Sequence, residues 1–222
     1  MISFLGSSHA AHHLALAAIK RGNEVTFNHA IADVIFISED TPTDDKGNRD
    51  LDPILKLVDI GNRLGRPIVL TSQVPPGFTR ALGIENIHHQ AETLRIKDAE
   101  ERAYSPDYIA VGGEAPFPPT YTKYLLSFKC PILRMSWESA EFSKIAVNMF
   151  LAAQVERTNL LSAAAQEMGA DWGDVAKALA NDKRIGHEAY LTPGRWQDSK
   201  HLMRDFVTLN SLLPQQHRTE GK

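Results

Sequence analysis

The sequence predicts an α/β protein in which a mostly parallel sheet domain precedes one long helix and a small all-helical domain. Three observations favour this class. The chain opens with a strand, a turn, a helix and a second strand. Short apolar runs then alternate with helical stretches as far as Met135, as in parallel sheets. From Ser136 to Met168 there is no Gly or Pro, which indicates a single helix.

The opening turn has the order of a Rossmann-like dinucleotide site but not its glycines. Such a turn reads G-x-G-x-x-G, because the second Gly admits the pyrophosphate and the third lets the helix pack. Gly6, Ser8 and Ala11 hold these places, and Ser8 puts a Cβ and a hydroxyl where phosphate oxygens belong. Asn28 and His29 stand where an acidic residue would hold the ribose. These residues predict weak or absent NAD binding.

The remaining elements follow the same alternation. Further strands are predicted over residues 24–27, 32–37, 66–72, 105–113 and 131–135, and helices over 12–21, 52–64 and 120–128. The predicted domains are a shortened sheet domain at 1–135, the long helix with a helical domain at 136–214, and a polar tail at 215–222.

The long helix has clear start and stop signals. Ser136 is a suitable N-cap with acidic residues in the following turns, and Gly169 is suited to end the helix. Lys144 and Asn148 are four residues apart and share a face, either as a chemical pair or as ordinary surface residues. The second half is more apolar than a small domain can cover, which predicts a homodimer through this helix. That apolar face comprises Val155, Leu160, Leu161, Ala164, Ala165 and Met168.

Composition excludes several classes of protein. The 24 basic and 27 acidic residues give a net charge of −3, without a basic cluster that would indicate nucleic acid or an anionic membrane as partner. Cys130 is the one cysteine, which excludes an intramolecular disulfide and a cysteine-rich zinc site. Neither a membrane span nor a secretory signal is evident, so a soluble cytoplasmic protein is expected.

Three blocks of the sequence, residues 41–77, 140–175 and 184–205, resemble the UDP-glucose/GDP-mannose dehydrogenase family. The blocks contain Thr-Pro-Thr from Thr41, Val-Pro-Pro-Gly after Gln73, the Lys–Asn spacing of the long helix, and Arg-Ile-Gly, Pro-Gly and Arg-Asp near the end. The resemblance implies a Rossmann-like fold, NAD as cofactor, and a nucleotide sugar or small hydroxy compound as substrate.

The resemblance also suggests roles for single residues. Lys144 and Asn148 would face the carbon being oxidised, and Glu92 would take the place of an active-site glutamate. The implied catalytic set is Lys144, Asn148, Asp205, Glu92 and His201, and the implied cofactor contacts are Gly6, Ser8, Thr41, Gln73 and Arg204. No metal is implied.

One departure from the family's pattern decides the chemistry. The family oxidises a primary alcohol twice and traps the intermediate aldehyde on a cysteine thiolate, but here His201 occupies the cysteine's place. An imidazole is a poor substitute, and His201 could equally be a polar residue at a helix start. Asp198 and Ser199 stand where the family has a pair of glycines before the cysteine. The family's nucleotide-binding C-terminal domain is also expected to be absent.

Three functions remain open on these residues. The first is a nucleotide-sugar-dehydrogenase-like protein impaired in the NAD-dependent four-electron oxidation, or a pseudoenzyme. The second is a two-electron NAD(P)-dependent alcohol or hydroxyacid oxidoreductase that uses Lys144 and Asn148. The third is a non-catalytic dimeric binding or regulatory protein in polysaccharide biosynthesis.

Overall fold

The sheet has the predicted mostly parallel architecture. The computed structural model describes residues 1–28, 31–44, 46–114 and 116–218. In these residues one seven-stranded sheet has the order β2-β1-β3-β4-β5-β6-β7, with every neighbouring pair parallel except β5 and β6. The strands are β1 (Ile2–Leu5), β2 (Val25–Phe27), β3 (Val34–Ile37), β4 (Ile68–Leu70), β5 (Ile87–Gln90), β6 (Ile109–Gly112) and β7 (Ile132–Met135). The predicted α/β class is confirmed.

Eight α-helices are found in the described residues. They are α1 (His9–Lys20), α2 (Asp52–Arg63), α3 (Phe78–Ala81), α4 (Ala99–Tyr104), α5 (Pro119–Leu126), α6 (Trp137–Glu167), α7 (Trp172–Asn181) and α8 (Lys200–Leu212). None of these helices combines the length and the apolar character that a membrane crossing needs.

The chain divides into two compact units. The first consists of Met1–Pro42 with Arg49–Lys144, and the second of Thr43–Asn48 with Ile145–Lys222. The boundary on the long helix α6 therefore falls between Lys144 and Ile145. Each unit has its own hydrophobic core.

The core of the first unit lies on both faces of the sheet. On β3, Phe36 packs into one cluster with residues of α1 and α5, whereas Ile35 and Ile37 pack into the other with residues of α2. Successive side chains of a strand point to opposite faces, so a strand covered on both faces must be apolar throughout. This explains why the run Val-Ile-Phe-Ile is continuous rather than alternating.

The start of α6 is fixed against the sheet. Trp137 is buried, and its indole N–H donates to the carbonyl of Ile87 at 3.0 Å. A Cβ added to Gly112 at the end of β6 would lie 2.7 Å from the Cα of Trp137. Only glycine therefore permits β6 to approach the helix this closely.

The predicted caps of α6 are confirmed. The Ser136 hydroxyl accepts from the Ser139 N–H at 3.2 Å, and Gly169 adopts φ 75° at the other end. The Ala170 N–H then donates to the Ala165 carbonyl at 2.9 Å, as in a Schellman motif.

The apolar face of the second half of α6 is divided between core and surface. Val155 and Ala165 are buried, whereas Leu160, Leu161 and Met168 are exposed. In the second unit Trp196 packs with Ala152 and Val155, and its indole N–H donates to Glu156 at 2.8 Å. The capping residues Asp171 and Ser199 begin α7 and α8.

One strand is absent from the sequence-based prediction. No element is predicted between residues 72 and 105, yet β5 lies inside the sheet and all four of its residues, Ile-His-His-Gln, are buried. Three polar residues hide the apolar signal that would indicate a buried strand. His29, implicated in the missing ribose contact, lies outside the described residues.

The two histidines of β5 predict a stability that falls in acid. Burial lowers the pKa of His88 to about 4 and that of His89 to about 3. Between these pKa values and about 6.5, the histidines are protonated in the unfolded chain but not in the folded protein. The free energy of unfolding therefore decreases as pH falls through that window. We expect the free energy of unfolding to decrease by about 1.4 kcal/mol per pH unit for each histidine.

Urea unfolding between pH 7 and 5 measures this slope. His89→Gln should reduce this slope by about 1.4 kcal/mol per pH unit, which corresponds to one proton. The same substitution at the exposed His187 should leave the slope unchanged. Equal slopes for His89→Gln and the parent protein would contradict the assignment.

Candidate functional site

The turn after β1 lies where the order of the sheet reverses. The strand β1 has β2 on one side and β3 on the other, and such a switch point at the carboxyl ends of parallel strands is the usual ligand crevice of these folds. Gly6 has φ 111°, and a Cβ there would lie 2.3 Å from the carbonyl oxygen of Ser38. The close approach of the two strand ends therefore depends on this glycine.

The Ser8 hydroxyl closes the turn from within. It accepts from the Ala11 N–H at 3.0 Å as the N-cap of α1, and it donates to the Ser38 carbonyl at 2.9 Å. Ser8 is buried. The hydroxyl thus ties the strand ends together instead of facing a ligand.

The backbone of the same turn already binds a carboxylate. Glu39 Oε2 accepts from the Ser7 N–H at 3.0 Å and lies 3.3 Å from the Ser7 hydroxyl. Glu39 is itself held after β3, where its N–H donates to the Ser72 hydroxyl at 2.8 Å. A dinucleotide pyrophosphate needs the free backbone amides of such a turn and is repelled by a second anion there. The residues of this turn do not fit NAD in the arrangement observed.

The other cofactor candidates of the first unit line the same sheet edge. Thr41 is buried after β3, and Gln73 follows β4 with its carbonyl accepting from the Arg49 guanidinium at 3.0 Å. Because Ile37 and Leu70 are paired in the sheet, the segments after β3 and β4 leave from one level.

A buried carboxylate fixes the loop that contains the Pro-Pro-Gly motif. Glu141 on α6 is 1% exposed, and it accepts from the Gly77 N–H at 2.6 Å and the Thr79 N–H at 2.8 Å. Burial raises the pKa of this carboxyl, while the two amides act in the opposite direction. These bonds hold the first turn of α3 against α6.

The second unit contains a buried polar cluster. The Asn148 amide donates to Asp205 Oδ2 at 2.6 Å, and Asp205 is fully buried. Arg204 is also buried, with its Nε 3.7 Å from Asp205 Oδ1. The structure therefore brings together three of the predicted site residues, one from α6 and two from α8.

The remaining candidates have separate positions. Lys144 is half-buried on α6, one turn before Asn148. His201 is exposed in the first turn of α8, two residues after the N-cap Ser199. The Glu92 carboxylate accepts from the Leu94 N–H, which makes it part of its own loop.

Sequence reasoning missed Glu39 and gave Glu141 a different part. Glu39 lies two residues after the end of β3, so its position at the carboxyl edge of the sheet was the available signal. Glu141 is one of the acidic residues expected to favour the N-terminal end of its own helix, but its carboxylate accepts from the N–H groups at the start of another helix.

Comparison with known proteins finds a family model that matches the second half of the chain and relatives that match most of it. Residues 138–219 match the central domain of the UDP-glucose/GDP-mannose dehydrogenase family. The UDP-glucose 6-dehydrogenase of Rickettsia prowazekii is 28% identical over 206 residues, which cover 86% of this chain and 47% of the relative. That of Caenorhabditis elegans is 30% identical over 202 residues, or 75% of this chain and 42% of the relative. The chain thus spans about half the length of these relatives.

Solved structures agree on the fold. A UDP-glucose dehydrogenase from Pyrobaculum islandicum superposes with a TM-score of 0.76 at 22% identity, covering 95% of this chain and 63% of the other. This likeness confirms the mostly parallel sheet followed by a long helix.

Because the Glu39 carboxylate occupies the turn, we expect the protein to bind NAD weakly. The variant Glu39→Ala should bind NAD more tightly. The substitution frees the Ser7 N–H and removes a negative charge from the turn. A hydrogen bond to a charged group contributes about 1.5–3 kcal/mol, so the dissociation constant should decrease at least about 10-fold. Isothermal titration calorimetry of both proteins with NAD measures the change.

Asp40→Ala is the matched control, because it removes the same charge one residue later from an exposed position. It should change the dissociation constant far less. A low-micromolar constant for the unsubstituted protein would show that Glu39 does not obstruct the turn.

Proposed function

Because this chain is related to the UDP-glucose/GDP-mannose dehydrogenase family, we propose that it is a nucleotide-sugar-dehydrogenase-like protein that lacks the NAD-dependent four-electron oxidation. The observation that carries the proposal is the residue at position 201. A histidine lies there, three residues before the buried Arg204 and four before the buried Asp205, where the family's pattern has its thiol nucleophile. The turn after β1, closed by Ser8 and Glu39, supports the same conclusion for the cofactor.

An imidazole at position 201 supports only part of the chemistry. It can accept a proton, but it does not form the thiohemiacetal from which the second hydride leaves. The exposed position of His201 fits a polar residue of the first helical turn.

Cys130 does not supply the missing thiolate. It lies two residues before β7 in the first unit, and burial raises the pKa of its thiol. A raised pKa reduces the fraction of thiolate at neutral pH and with it the nucleophilicity.

The polar cluster of the second unit supports a retained scaffold. The Asn148 amide still donates to the Asp205 carboxyl in the interior, and removing one partner of a buried hydrogen bond costs about 1–3 kcal/mol. This stabilising role explains why the polar cluster is present without requiring that the protein be catalytically active. We therefore assign the cluster to the architecture of the second unit.

The chemical proposal predicts no UDP-glucuronate when the purified protein is incubated with UDP-glucose and NAD. At most a trace of a two-electron product is expected. Mass spectrometry of the sugar nucleotides, with absorbance at the NADH band, makes the measurement. His201→Ala serves as the matched variant and should give the same result, because the histidine has no part in the reaction.

Formation of two NADH per UDP-glucose by the unsubstituted protein would overturn the proposal. Loss of that activity in His201→Ala would then identify the imidazole as the nucleophile. A full-length UDP-glucose dehydrogenase assayed in parallel verifies the reagents.

We further propose that the protein is a homodimer through α6. Leu160 is 59% exposed, Leu161 49% and Met168 75%, so the second half of α6 presents several apolar side chains to solvent. Covering such side chains contributes about 25 cal/mol for each Å² removed from water.

Analytical ultracentrifugation at micromolar concentration should therefore give a dimer. Leu160→Glu should shift it to monomer, while Gln166→Glu, at an exposed polar position of the same helix, should not. A monomer at all concentrations for the unsubstituted protein would contradict the proposal.

A further inference from the structure

Histidines are concentrated in the first turns of α1. His9, His12 and His13 fall within five residues, and the Nε2 atoms of His9 and His13 are 3.0 Å apart. His9 is exposed and His13 is half-buried, so the pair opens to solvent. His12 is exposed beside them, with its ring centroid 5.5 Å from that of His13.

The separation of the two nitrogens fits ligands of one metal ion. Two imidazole nitrogens, each about 2.05 Å from a metal, are about 2.9 Å apart at a right angle and about 3.3 Å apart at the tetrahedral angle. The observed 3.0 Å lies between these two values. In the structure the two nitrogens share a hydrogen bond, so a metal ion bound by both would displace the shared proton.

The charges near the pair set the conditions for binding a cation. A metal binds the neutral form of both imidazoles, so coordination competes with their protonation. The positive end of the α1 dipole opposes a bound cation. The Glu39 carboxylate, which accepts from the Ser7 N–H at the same end of the helix, offsets this unfavourable interaction with its negative charge.

The surroundings also limit the affinity. His13 Nδ1 is buried and has no hydrogen-bond partner in the described part of the chain. A histidine that coordinates through Nε2 normally donates from Nδ1 to an acceptor, and loss of such a partner costs about 10–100-fold in metal affinity. The pair is therefore suited to a labile, exchangeable ion.

We propose that His9 and His13 form a two-imidazole chelate for a divalent transition-metal ion at the mouth of the turn after β1. The described residues contain no group of three or more His, Cys, Asp and Glu side chains arranged for a metal, so water completes the coordination. The affinity is expected to follow the general order for nitrogen ligands, with Cu²⁺ above Ni²⁺ and Zn²⁺.

Titration of the full chain without an affinity tag, with CuCl₂, NiCl₂ and ZnCl₂ in turn, tests the site. One equivalent of Cu²⁺ should bind, and its electron paramagnetic resonance spectrum should show coupling to two imidazole nitrogens. His9→Ala and His13→Gln should each weaken binding at least about 10-fold, because each removes a direct ligand. Circular dichroism confirms that each variant is folded, and His9 is exposed enough to be replaced without disturbing the core.

His12→Ala is the matched control, since it removes an imidazole of the same turn that lies outside the close pair. Its affinity for Cu²⁺ should stay within about 2-fold of the parent value, well inside the loss for a ligand. Equal losses for His12→Ala and His9→Ala would overturn the chelate in favour of diffuse binding by surface histidines. Unchanged binding in folded His9→Ala would also overturn it.

Discussion

The buried carboxylate of Glu141 is the constraint on which the first unit depends. A charge removed from water is costly unless hydrogen bonds replace its hydration, and the Gly77 and Thr79 amides provide them. The carboxylate links the loop after β4 to the start of α6, so the Pro-Pro-Gly turn has one position relative to the sheet. Trp137, one turn earlier on α6, adds a bond to β5. These contacts fix where the long helix leaves the sheet.

Glu39 uses the same physical principle at the turn after β1. Amides at the start of a helix favour a negative group, and a side chain of the protein can provide it as well as a ligand can. The two carboxylates have opposite consequences. Glu141 stabilises the scaffold, whereas Glu39 binds in the turn where the family resemblance would place the pyrophosphate of a dinucleotide. The Ser8 hydroxyl reinforces this closed arrangement by bonding to the carbonyl of Ser38.

Most of the fold could be predicted from the sequence, because strand runs such as Val34–Ile37 and the caps of α6 are local signals. The strand β5 could not, because His88 and His89 have polar side chains and their burial is set by neighbouring strands. The pairing of Asn148 with Asp205 joins residues 57 positions apart, so only the family resemblance placed both in one site. The role of Glu39 was inaccessible because it depends on an amide 32 positions away.

The distribution of tryptophans between the units gives the protein an intrinsic optical label. Trp137 is buried in the first unit, whereas Trp172 and Trp196 belong to the second. The Arg80 guanidinium lies 4.6 Å from the centre of the Trp137 ring, so this indole is in a cationic as well as an apolar environment. In a Trp137→Phe background the remaining emission arises from the second unit alone, which allows the melting of the helical unit to be followed separately from that of the sheet.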